Sequence, residues 1–287
     1  RLENVGEIEN KGFEFTINSL NIDKPDFTWS TNLTISANKN KVISIGDGQE
    51  FITLDNPNGS SGPSIRIIPG YPAPAYLGAT YLGTYRTTAE IDADGVVGSV
   101  LGGPRYVDLD GNGAINQLDF IVHGDPNPDF YGGLRNTLTY KDFTLDFFFH
   151  GSYGNEILNA AYHLGYFGRD PRSNLLPIVK DRWTTSNQNS DIPRAGSSFG
   201  NYQQRSDVSY QDGSFLRLKN VTLTYDLDIP GMKRASVYVT GNNLLLFTKF
   251  THGDPEQSNY GDGLAQGVAN GGYPYNSSFA LGFNLTL

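Results

Sequence analysis

GFEFTINSLNIDKPDFTWSTNLTISAN, residues 12–38, decides how the rest of the chain is to be read. Phe13, Phe15 and Ile17 alternate with Glu14, Thr16 and Asn18. After NIDKPD the alternation resumes, with Phe27, Trp29, Leu33 and Ile35 set against Thr28, Ser30, Asn32, Thr34 and Ser36. Successive side chains of an extended backbone point to opposite faces, so a period of two predicts strands. Two such runs across a short turn predict an antiparallel hairpin. The polar face of this hairpin carries hydroxyls and amides with an occasional charge.

The pattern recurs. FYGGLRNTLTY (130–140) and FTLDFFFHGS (143–152) predict a second hairpin turning at Lys141-Asp142. SFLRLKNVTLTYDL (214–227) and ASVYVTGNNLLLF (235–247) predict a third across DIPGMKR, with a phase change near Lys219-Asn220 that suggests a bulge. SSFALGFNLTL (277–287) predicts a last strand, with Phe279, Leu281, Phe283, Leu285 and Leu287 on one face. Between the hairpins lie long excursions at about 39–128, 153–212 and 248–275, rich in Gly, Pro, Asp and Tyr; a short helix is expected at 155–167.

Short and long connections therefore alternate strictly. Strands of this length suit a tilted crossing of a bilayer. Tyr131, Tyr140, Phe143, Phe215 and Tyr225 sit near strand ends, where interfacial girdles need aromatics, although β-propensity alone also favours them there. The fold class expected is all-β: a transmembrane antiparallel β-barrel with long extracellular loops. A soluble glycan-binding β-sandwich would share the alternation but would not sort its loops by length.

Composition narrows the function classes. The 287 residues include 34 Gly, 17 Tyr and 17 Phe, and carry a formal charge of −9. No basic face is visible for a nucleic-acid partner. Without cysteine there is no disulfide and no thiolate metal site. The longest apolar run, LLLF at 244–247, falls far short of the ~18 residues of a membrane helix. Mean hydropathy, −0.38, does not count against a barrel, whose lipid-facing and lumen-facing residues average out. A chain opening on Arg1 is expected to be a piece of a longer one.

One stretch has the spacing of a calcium loop. In DLDGNGAINQLD (108–119), Asp108, Asp110 and Asn112 occupy positions 1, 3 and 5, Gly113 sits at 6, the Ala114 carbonyl at 7, Asn116 at 9 and Asp119 at 12. Calcium takes six to eight oxygens, and this spacing lets a tight turn present them to one ion. An Asp/Asn/Gly turn with no ion is the plainer alternative. If Ca2+ binds, its role is expected to be structural. His123, His150, His163 and His252 lack zinc-site spacing. NGSSGPS (58–64) lacks the setting of a nucleophile elbow. Glu14 and Asp146 read as lumen-facing charges rather than an acid/base pair. No catalytic constellation emerges, so the chain is not expected to be an enzyme; a secreted calcium-dependent hydrolase is the distant rival. GYPAPAYLGATYLGTY (70–85) and GNYQQRSDVSYQDGS (200–214) interleave tyrosines with small residues. They could offer flat faces to a sugar or peptide, but packing of loops on one another or on a partner is the simpler use.

Several segments in order resemble the SusC/RagA family of TonB-dependent outer-membrane transporters. They are NVGEIENKGFEFTI (4–17), RYVDLDGNGAINQLD (105–119), GDPNPDFYGGLRNTLTYKDFTLDFFFHGSYGNEILN (124–159), DRWT (181–184) and IPRA (192–195). DGSFLRLKNVTLTYDL (212–227), VYVTGNNLLLFTKF (237–250), GDPE (253–256) and YPYNSSFALGFNLTL (273–287) complete the run. The resemblance implies that residues 1–287 are the C-terminal part of a plugged barrel of roughly 22 strands. It further implies import of oligosaccharides or peptides at the bacterial outer membrane, with a SusD-like surface lipoprotein as lid. The remaining barrel and plug segments, and the contact with TonB, would lie in a missing N-terminal region. Outer-membrane lipid would surround the wall. Two departures stand out: the family favours an aromatic at its extreme C-terminus where this chain has Leu287, and the glycine of THGDPE (251–256) is displaced by one.

Overall fold

The structure, a computed structural model, describes residues 6–46, 48–54, 64–160, 162, 166, 174–196, 206–257, 266–269, 271–273 and 275–286. Seven strands form one antiparallel wall: β1 (Glu7–Lys24), β2 (Phe27–Ser44), β3 (Phe130–Tyr140), β4 (Phe143–Tyr153), β5 (Phe215–Leu227), β6 (Arg234–Thr248) and β7 (Ser278–Thr286). They lie side by side in chain order, each paired with the next.

Register sorts the two faces. One row across β2 to β7 reads Ser30, Thr137, Asp146, Thr222, Thr240, Ala280. The next row reads Trp29, Leu138, Leu145, Leu223, Val239, Leu281. Nothing among the described residues packs over the second face as another sheet would. Phe279, Leu281 and Phe283 are 77%, 76% and 73% exposed there, and such a continuous apolar surface requires a cover. The sandwich alternative therefore fails, because the described residues form no buried interior between two sheets. The buried clusters lie instead in the excursions and the loopward end of β2.

The hairpins turn at one end of the wall, through Pro25-Asp26, Lys141-Asp142 and the 228–233 turn. Phe27, Tyr140, Phe143 and Tyr225 form an aromatic row beside these turns on the apolar face, with the last two rings 4.6 Å apart. Two expected girdle residues point the other way: Tyr131 and Phe215 pair with Ser36 and Ser152 on the polar face. Phe130 and Tyr153, stacked at 5.2 Å, take that place at the loop end. On the apolar face, Asn136 accepts from Trp29 Nε1 at 2.8 Å and Thr31 Oγ1 at 2.7 Å, and Thr31 in turn accepts from Asn21 at 2.7 Å, so the polar groups there are tied to one another.

The first two strands run to 18 residues each, well past the expected 12–20 and 27–38. Their extensions carry Glu7, Glu9, Lys11, Lys39 and Lys41, the residues of a hairpin that has left the apolar zone. The expected bulge is present, with the register shifting between Leu218 and Asn220. Lys219 thereby joins Arg217 on the polar side.

The excursions are not structureless. The first contains a four-stranded sheet of Ile52–Thr53, Ser64–Ile67, Ala75–Gly78 and Ile121–Gly124, a two-stranded pair of Tyr81–Thr84 and Pro104–Tyr106, and a helix, α1 (Thr88–Asp94). Where a helix was expected at 155–167, Glu156–Asn159 is a strand, and only Ala160, Tyr162 and Tyr166 are described as helical. That strand pairs with Tyr210–Asp212 and with Val268–Ala269, tying the second and third excursions together. A shared core of Val42, Ile65, Tyr76, Leu158 and Val268 then fuses all three. Tyr76 stacks on Tyr210 at 5.1 Å and donates toward the Gln266 and Gly267 carbonyls at 3.0 and 3.1 Å.

Tyr76→Ala should destabilise this outer layer by roughly 3 kcal/mol or more, the cost of emptying a buried aromatic site. Limited proteolysis of the complete protein should then cut within the excursions while the wall keeps its unheated gel mobility; unchanged cleavage would show that Tyr76 is not a keystone.

Candidate functional site

The 108–119 loop closes as its spacing suggests. Gly111 and Gly113 adopt φ of 69° and 77°, which side-chain-bearing residues rarely tolerate, and so let the chain turn tightly. Asp108 accepts from the Gly111 and Gly113 amides at 2.9 and 2.8 Å, and these bonds, Gly113 first, hold its carboxyl below the usual range. Asp119, fully buried, accepts from Leu109 N and Asn116 N at 2.8 Å each and so joins the two ends of the loop. Carboxylate oxygens of Asp108, Asp110 and Asp119 lie within 4.8 Å of one another.

An all-oxygen set of three acids suits a hard cation. The other three expected ligands are engaged within the loop. Asn112 Oδ1 accepts from Ala114 N, Asn116 Oδ1 from Leu118 N, and the Ala114 carbonyl from Asn116 Nδ2. The acids are thus brought together, while Asn112, Ala114 and Asn116 would have to share or exchange these bonds to reach an ion. The loop is anchored below by Ile115, buried with Ala79, Val96 and Tyr106, and by the bond from Val97 N to the Gly113 carbonyl.

A second polar cluster, not foreseen from the sequence, lies on the polar face of the wall. Arg217 of β5, 2% exposed, donates to Asp254 at 2.6 Å and pairs with Glu256. Lys219 Nζ and His150 Nε2 stand 3.9 and 3.4 Å from Glu256, and Tyr275 lies over both cations, 5.6 Å from Arg217 Cζ and 5.1 Å from Lys219 Nζ. The third excursion therefore folds back against the wall instead of standing away from it. Removing one partner of such a pair leaves a buried charge uncompensated, a loss of about 3–5 kcal/mol. The separate signals were visible as Arg217 within FLRLKN and the acids of GDPE, but only the fold makes them neighbours.

A third group sits at the junction of the excursions. Glu156 lies close to Asp125 and Asp212, and burial first, then these two charges, push its carboxyl up to about 7. A Cβ at position 124 would strike the Glu156 carboxylate, so Gly124 is the residue that leaves it room.

The remaining candidates are dispersed. Asp146 is held by Arg135 Nε at 2.7 Å and Thr137 Oγ1 at 2.8 Å, with β2 and β3 between it and Glu14. His123 contacts the Gly78 carbonyl at 3.0 Å, and His252 lies against Tyr162. His163 and residues 58–63 fall outside the described residues, as do 200–205 of the tyrosine-bearing stretch 200–214. In 70–85, Tyr76 and Tyr85 are buried, the packed outcome; of its four tyrosines only Tyr71 is markedly exposed.

No family model matches the chain. It is 40% identical to TonB-dependent receptor P26 of Formosa agariphila over all of this chain and 30% of the receptor. It is 25% identical to the TonB-dependent receptor SusC of Bacteroides thetaiotaomicron over 99% of this chain and 27% of SusC. Among solved structures, a chain of the RagAB peptide transporter superposes with a TM-score of 0.78 at 21% identity, covering 99% of this chain and 30% of that one. A RagAB peptide importer in the closed-closed state gives 0.77 at 22% identity. The chain thus spans about 30% of the length of these relatives. They are named receptors and transporters, not enzymes.

The junction carries a pH signature. Because Glu156 holds its proton more tightly in the folded state than the usual 4.5, the unfolded junction binds fewer protons between pH 4.5 and about 7. Stability there should fall as pH rises through that window. Amide-exchange protection of 156–159 and 210–212 should be greater at pH 5 than at pH 8, and Glu156→Gln should flatten the difference. An equal pH response in the variant would exclude Glu156 as its source.

Proposed function

Because the chain belongs to the SusC/RagA family of TonB-dependent receptors, we propose that it forms one stretch of wall and the outer loops of a nutrient importer of the bacterial outer membrane. The observation that supports this best is the two-faced sheet: one apolar side for lipid, one polar side for a lumen, and every long connection at the same end. Both edges, β1 and β7, are open, and unpaired backbone does not persist in hydrocarbon. The proposed assembly therefore includes the remaining barrel and plug segments, of which this chain is the C-terminal partner. TonB would act through those other segments.

The cargo is an oligosaccharide or peptide too large for passive pores, taken in with a SusD-like surface lipoprotein docked on the fused outer loops. RagAB, whose fold this chain shares, is a peptide transporter, and that likeness favours the peptide arm. Within the loops, we propose that Asp108, Asp110 and Asp119, with Asn112, Ala114 and Asn116, hold a structural Ca2+. When bound, the ion would neutralise three clustered carboxylates and fix the outline of the first excursion.

Deleting the complete transporter should abolish uptake of one labelled class, oligosaccharide or peptide, and the tagged protein should bring down a surface lipoprotein from outer membranes. Undiminished uptake of both classes would sink the reading. For the ion, chelation should open residues 70–128 to protease while the strands stay protected, and Asp119→Asn should remove the calcium dependence. Identical cleavage with and without chelator in the unaltered protein would count against it.

A further inference from the structure

On the apolar face near the loop end, the wall has a groove of about 820 Å³, within the ~300–1,000 Å³ of small-molecule sites. Its floor comes from register. One row across five strands reads Ile35, Gly132, Gly151, Leu216, Phe247. Two adjacent glycines leave a gap on this face, whereas its next row toward the turns carries Leu33, Leu134, Phe149, Leu218 and Leu245. The gap is written into the backbone: a Cβ on Gly132 or Gly151 would strike the carbonyl of Thr34 or Phe215 on the adjoining strand. The stacked rings of Phe130 and Tyr153 wall the groove on the loop side, and the Leu134–Phe149 pair walls it toward the turns.

At the loopward rim stands Lys249, its side chain 86% exposed and its Nζ 3.8 Å from Asp212, a loose pair that an anion could replace. We propose that this groove is a specific lipid site: acyl chains lie along the glycine floor and an anionic phosphate head meets Lys249. The inference rests on the outer-membrane reading above, because that reading turns this face toward hydrocarbon and its loop end toward the outer leaflet. A basic residue at the head-group level over an apolar seat is complementary to an acidic lipid. Bulk lipid covers the rest of the face without such a recess.

The test uses the complete transporter, extracted in mild detergent and washed free of loose lipid, with lipid A as probe and phosphatidylethanolamine as comparator in native mass spectrometry. The protein should retain lipid A in preference to phosphatidylethanolamine. Ile35→Trp, which fills the groove, should weaken retention about tenfold. Lys249→Glu, an exposed change that leaves the seat intact, should weaken lipid A roughly fivefold or more and spare the comparator. Undiminished retention in both variants, with the barrel still shifting mobility on heating, would overturn the lipid site and leave the transporter reading standing. So would barrel-to-barrel crosslinking through Phe247→Cys, which would make the occupant a second copy. An unaltered protein that neither sediments with outer membranes nor shifts on heating would overturn both.

Discussion

Hydrocarbon offers no partner for a peptide N–H or C=O, and the wall follows from that constraint. Seven strands satisfy one another in chain order, leaving two open edges for further strands. The same constraint governs side chains. Asn136 is tolerable on the apolar face because Trp29 and Thr31 of the neighbouring β2 already satisfy its oxygen. On the other face, Thr222, Thr240, Asn220 and Asn242 bond across β5 and β6, as suits a wet surface.

Above the apolar zone the rules change and a conventional core returns. Val42 belongs to a wall strand yet is fully buried, because the extension of β2 passes beneath the excursions. From there the core runs through Tyr76, Leu158 and Val268, one contribution from each excursion. Long loops that could have moved separately share one interior, and each helps to fix the others. This is why the proposed ion need only order one loop to affect the whole outer surface.

Period two was easy to read because each wall strand sees two different solvents, and so the seven strands, the pairing within the three hairpins and the Lys219-Asn220 bulge were legible in the residues. What was missed follows from the loss of that contrast. In NEILNAAYHLGYF both faces of the strand at Glu156–Asn159 are covered, so its apolar spacing could pass for a helix. The small sheets of 52–124 are two to four residues per strand, too short to show a period. The spacing in 108–119 located the three acids that converge, but not the internal bonds that engage Asn112 and Asn116. Arg217 lies 37 residues before Asp254 and farther still from Glu256, and no local pattern pairs a strand residue with a returning loop.

That returning loop bears on how an importer of this shape would meet its cargo. Of the tyrosines in the 70–85 stretch, Tyr76 and Tyr85 are consumed in packing, so they cannot also stack on a ligand. Aromatic surface remains at Tyr71 and Tyr273 on the excursions and at Tyr131 on the polar face. Beside the lumen, Arg217 holds Asp254 and Glu256 against the wall, and breaking either pair would leave a buried charge uncompensated. Cargo passing such a surface would meet charges already paired with one another, which bind weakly and release readily. A conduit needs that property more than affinity, which agrees with the proposal that cargo is captured at the outer rim by a separate lid protein.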